Sequence, residues 1–169
     1  MSTFKHRVCP ATGLRIHSAA ENLIKANAVT AIVFLAVGGF FGLLVALTRW
    51  PGVHLLPAEW FYLVLTGHGL DVLLVWIIFF EIAVLYFASA ILLNCRLATP
   101  KFGWLSFILM VVGALMANYA VLRGDSSVMF TSYPPMMASH WFYLSLILFA
   151  VGALIGVGVF FGTLVIARA

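Results

Sequence analysis

Three strongly polar side chains stand inside otherwise apolar stretches of this chain: His68, Asp71 and Glu81. An ionisable group in hydrocarbon costs a few kcal/mol or more, so each marks a functional position by default. His68 and Asp71 are three residues apart and share one face of a helix. The run Leu65-Thr66-Gly67-His68-Gly69-Leu70 removes bulk on both sides of the imidazole. A histidine so exposed within a bilayer suits axial ligation of a flat macrocycle such as haem, because the porphyrin plane must approach the backbone. A histidine bonded to a neighbouring helix is the alternative reading. Glu81 lies 13 residues further on, about 20 Å along a helix axis. It reads either as a proton-relay group, since desolvation lets a carboxyl exchange protons near neutral pH, or as a structural carboxyl bonded to another helix.

The elements that position these residues follow from composition. Of 169 residues, 64% are apolar and 8% charged, a balance that a water-soluble domain cannot bury. A membrane-crossing helix needs about 20 mostly apolar residues. Four stretches qualify: 27–47, 60–93, 104–122 and 141–167. The expected fold is all-α, a polytopic membrane protein of four transmembrane helices forming one membrane domain over residues 1–169. The first stretch has no small-residue cleavage site after it and reads as a retained helix. Lys5, Arg7, Arg15, Lys25, Arg96, Lys101 and Arg168 fall on one side of the membrane and only Arg49 and Arg123 on the other, which places both termini in the cytoplasm. The net charge of +4 is thus a topology signal and calls for no nucleic-acid partner.

This topology starts the second helix outside, so His68 lies in the outer half of the membrane. His54 and His140 belong to that side too and could complete a metal site within one chain; exposed interfacial histidines are the plainer reading. Cys9 and Cys95 fall on the inner side, match no metal spacing, and are expected as free thiols. The residues before the first helix read as a flexible basic tail. Gly38/Gly42, Gly152/Gly156 and Gly158/Gly162 are small-xxx-small pairs that admit a neighbouring backbone or a flat ligand. The loop carrying Thr131-Ser132-Tyr133-Pro134-Pro135 is expected to be ordered by its paired prolines.

Taken together, Arg49-Trp50-Pro51-Gly52 closing the first helix, Thr66-Gly67-His68-Gly69 in the second and Thr131-Ser132-Tyr133-Pro134-Pro135 before the fourth resemble subunit I of the haem–copper oxidases. The resemblance runs from about Glu21 to the C-terminus. It implies that His68 is an axial ligand of a low-spin haem near the outer face, flanked by Gly67 and Gly69. Asp71 would orient the imidazole or hold a haem substituent, unless it bonds a neighbouring helix. Tyr133 would sit in an outer loop near the haems, hydrogen-bonded to protein, and Glu81 is a candidate for the proton path. The family's other haem ligand, its copper-ligating histidines and their tyrosine lie beyond a fourth helix, so the chain looks like the first third of subunit I carried as a separate polypeptide. Arg49 stands about one turn later than the family's helix-one arginine, where Ala46 falls, and the inner loop lacks the aspartate that opens one proton channel.

The resemblance implies a part in the reduction of oxygen to water in a prokaryotic cytoplasmic (inner) membrane, not catalytic alone. The implied cofactor is a low-spin haem of a or b type, with copper only in partner chains. The implied partners are a larger membrane subunit with the remaining helices, a copper-bearing electron-entry subunit, and cytochrome c or quinol as donor. Two other readings stay open. One is a self-contained four-helix b-type cytochrome, its haem closed by His54, His140 or the His68 of a second copy. The other is a haem-free scaffold or assembly subunit.

Overall fold

The computed structural model describes residues 6–129, 131, 132 and 134–168. It contains a short hairpin, β1 (His6–Val8) with β2 (Arg15–His17), followed by four long helices. These are α1 (Ser18–Arg49), α2 (Ala58–Leu92), α3 (Pro100–Leu122) and α4 (His140–Arg168), each long and apolar enough to cross a membrane. At 32 residues, α1 is about 48 Å long and exceeds a hydrocarbon core of about 30 Å.

The helix limits depart from hydropathy where local chemistry extends them. α1 begins nine residues before Asn27, because Ala19 and Ala20 favour helix and Lys25 Nζ lies 2.7 Å from Glu21 Oε1 one turn away. α3 begins at Pro100, whose fixed φ and missing N–H suit the first helical position. α2 ends with Asn94 in the left-handed region at φ 52°. There Asn94 N–H donates to Ile91 O at 3.1 Å and Cys95 N–H to Ala90 O at 3.0 Å, which satisfies carbonyls the helix end would leave open. Gly124, at φ 84°, closes α3 in the same way.

Residues 6–17 form a folded hairpin and not the flexible tail expected of a basic, proline-containing stretch. His6 pairs with His17 and Val8 with Arg15. Two contacts that composition does not reveal dock it: Arg7 reaches Glu21 with Nε and Nη2 at 3.2 and 2.9 Å, and Arg15 N–H donates to Asn94 Oδ1 at 3.1 Å. Burial, with the nearby charges of His6, Arg15 and Arg96, lowers the His17 imidazole below its ordinary pKa. Both cysteines are free.

All four helices meet at Phe79 of α2. Its ring stacks on Phe34 of α1 at 6.2 Å between centroids, and meets Phe107 of α3 and Phe149 of α4 edge-on at 5.9 and 5.8 Å. The backbones of α3 and α4 touch through glycine. A Cβ on Gly113 would stand 2.7 Å from Phe149 N, and one on Gly152 2.9 Å from Met110 N. Ser106 Oγ–H adds a 2.7 Å bond to Gly152 O across the same seam. Close approach of this kind replaces the hydrophobic driving force that lipid removes. Gly158, by contrast, faces open space and joins no helix contact.

α2 is not a uniform α-helix. Residues Asp71–Val75 and Phe87–Leu92 take the wider π winding, which inserts an extra residue into a turn and recurs at functional sites.

Candidate functional site

His68 lies on α2 with its ring turned toward α1. Its Nδ1 is 2.8 Å from the carbonyl oxygen of Gly38. A carbonyl only accepts, so Nδ1 carries the proton and Nε2 of the neutral ring keeps its lone pair. The imidazole packs over Gly42: a Cβ there would lie 2.7 Å from Cε1 and 2.9 Å from Nδ1. A Cβ on Gly38 would lie 2.9 Å from the Asp71 Cβ and 2.7 Å from a Val72 methyl. Gly38 and Gly42 thus form a shallow trough on α1 that seats the His68 face of α2. This arrangement fits an axial haem ligand, since a second group fixes tautomer and ring orientation while the other nitrogen is left to a metal.

The remaining expected residues distribute differently. Asp71 is fully buried and its Oδ1 accepts a 2.8 Å bond from Asn118 Nδ2 of α3. It is tied to a neighbouring helix, and Oδ2 has no partner among the described residues. A Cβ on Gly67 would meet the Phe41 ring at 2.9 Å, so its smallness serves α1–α2 packing. Gly69 is buried. Glu81 is exposed on the flank of the four-helix unit, with no hydrogen bond or ion pair among the described residues. Tyr133 lies outside the described residues. His54 and His140 are exposed, and among the described residues no three of His, Cys, Asp and Glu come together to hold a metal ion.

Two contacts escape a reading of the sequence. Thr66, two residues before His68, is fully buried; its hydroxyl donates to Tyr62 O at 2.8 Å and accepts the Met129 N–H at 2.9 Å. It ties the outer loop to α2. The loop is further held by Ser139 N–H to Asp125 O at 3.1 Å, and the Pro134–Pro135 peptide is cis. The partner of Asp71 was signalled in the sequence, for Asn118 is an amide within an apolar span.

The family described as cytochrome c and quinol oxidase polypeptide I matches residues 22–169. The chain belongs to this subunit I family. Family members of known sequence agree: cytochrome c oxidase subunit 1 of Thermus thermophilus is 31% identical over 139 residues, covering 76% of this chain and 24% of that protein. An uncharacterised protein of Aquifex aeolicus is 31% identical over 122 residues, 72% of this chain and 29% of its own length. Among solved structures, a heme-copper terminal oxidase dimer superposes with a TM-score of 0.77 at 27% identity, over 85% of this chain and 25% of that one. The chain therefore spans about a quarter of the length of the subunit I relatives it matches, and corresponds to an N-terminal fragment of the subunit.

Proposed function

We propose that this chain is the part of a haem–copper terminal oxidase that holds one face of a low-spin haem, with His68 Nε2 as an axial ligand. The observation that carries the reading is the bond from His68 Nδ1 to Gly38 O, which presets the free nitrogen for a metal, in a chain of the subunit I family. A low-spin haem supplies one-electron redox chemistry between the donor, cytochrome c or quinol, and the oxygen-reducing centre. The chain's own residues do the rest. Gly38 O holds the imidazole in one tautomer, Gly42 gives the ring its place against α1, and the Asp71–Asn118 bond anchors the ligand's helix to α3.

The second axial ligand and the copper-binding histidines belong to residues beyond these four helices, with a copper-bearing electron-entry subunit beside them. Glu81 is proposed as a proton-path group, and a prokaryotic cytoplasmic membrane as the location, with both termini inside.

The test is His68→Ala in the assembled complex. The low-spin haem band and electron delivery should vanish while the four helices remain inserted; a normal low-spin spectrum would overturn the assignment. Pyridine haemochrome analysis of the wild type distinguishes haem a from haem b. A wild-type complex without low-spin haem points instead to a scaffold.

A further inference from the structure

We propose that the pocket at the corner between α1 and α2 binds the phosphate of an anionic phospholipid from the outer leaflet. The pocket holds about 420 Å³ and is lined by Arg49, His54, Leu56, Phe61 and Tyr62 among others, none of them a carboxylate. Trp50 and Trp60, respectively 60% and 49% exposed, flank it, as aromatic residues do at the level of lipid headgroups.

Arg49 is what separates this pocket from another charged groove among the described residues. At the opposite end, a groove of about 160 Å³ beneath the hairpin has two cations, but Arg7 and Lys25 both close on Glu21 at 2.9 and 2.7 Å. Arg123 has Asp125 at 3.9 Å. Arg49 forms no ion pair among the described residues, so its charge awaits a counter-ion.

The donors match a phosphate. A guanidinium binds two phosphate oxygens through parallel N–H bonds. The Tyr62 hydroxyl has no hydrogen-bond partner among the described residues, and the His54 ring offers a further N–H. His54 sits at φ 48°, a left-handed conformation supported by its N–H bond to Trp50 O at 3.0 Å, and this places the imidazole on the pocket wall. Leu56 and Phe61 supply an apolar wall for the glycerol and upper acyl carbons, which a free inorganic anion would not use. A zwitterionic headgroup would bring an ammonium into a site with no carboxylate to receive it, so the fit is to a lipid of net negative charge.

The experiment uses photoactivatable phosphatidylglycerol and phosphatidylcholine with the protein kept in the assembly it forms in its membrane and reconstituted into bilayer discs. Phosphatidylglycerol should label residues 48–62, with phosphatidylcholine well behind. Arg49→Gln should cut that labelling about fivefold, the loss expected of one arginine contact near a charged headgroup, and Arg123→Gln should leave it unchanged. Equal labelling by the two lipids, or unaltered labelling in Arg49→Gln, would overturn the proposal. So would labelling abolished by millimolar inorganic phosphate, which assigns the pocket to a soluble anion, or no labelling at all.

Discussion

Thr66 and Met129, 63 residues apart, are joined by a single 2.9 Å hydrogen bond from the Met129 N–H to the Thr66 hydroxyl. The bond couples the outer loop, two residues before Thr131, to the helix turn that carries His68. Thr66→Val keeps the shape but leaves the half-buried Met129 amide without this acceptor, at a cost of about 1 kcal/mol. Faster hydrogen exchange in the loop around Met129, with α3 and α4 unaffected, is the expected result; unchanged exchange would show the loop to be held by other contacts.

Gly42 and Gly39 make a matched pair. Gly42→Ala places a methyl 2.7 Å from the imidazole, whereas Gly39 has open space around it. Gly42→Ala should weaken or shift the low-spin haem spectrum and Gly39→Ala should alter it far less. Equal effects would mean that the ring's seat on α1 does not matter to the ligand.

Glu81 is exposed on these four helices, at a depth where a carboxyl facing lipid is costly. The expectation is that other protein covers it and that it exchanges protons there. Glu81→Gln keeps size and hydrogen bonding but carries no proton, so turnover should fall and its pH profile should change. A profile superimposable on wild type would take Glu81 out of the proton path.

Phe79 contacts an aromatic ring of each other helix. Phe79→Ala removes the common contact and leaves a cavity, a change that costs about 3–5 kcal/mol in soluble cores. Thermal unfolding in detergent should shift down markedly, while Phe80→Ala, on an exposed ring, should have a small effect.

The hairpin should respond to pH through His17. Its pKa is lowered in the folded state from an ordinary value of 6.5, so its contribution to docking is complete above that value and is lost as pH falls through the lower one. Exchange of the hairpin amides should therefore quicken on mild acidification, and His17→Gln should flatten that response.

The four helices were legible because hydropathy alone demands them, and His68 stood out as a candidate because a histidine inside an apolar span needs a partner; the bond to Gly38 O of α1 is the neighbouring-helix contact that was the alternative to a ligand. What surrounds His68 was not legible. Gly38 and Gly42 announced a close approach, but their periodicity could not say that an imidazole fills the space, since that depends on how α1 and α2 rotate against each other. Gly67 sits beside the histidine in sequence yet faces Phe41, because successive residues on a helix point about 100° apart. The hairpin was missed because its fold rests on Arg7–Glu21 and Arg15–Asn94, long-range pairs in a segment too polar and short to fold on its own pattern.

The π winding at Asp71–Val75 acts as a phase shifter within α2. One additional residue in a turn sets everything beyond it back by about 100° around the axis. The half of α2 that presents His68 to α1 and the half that presents Phe79 to all three neighbours thus keep separate registers, each tuned without disturbing the other. Excising one exposed residue from that turn, Leu73, would restore plain α geometry and bring the halves back into a common phase. His68 could then stay against Gly42 only if Phe79 swung out of the bundle.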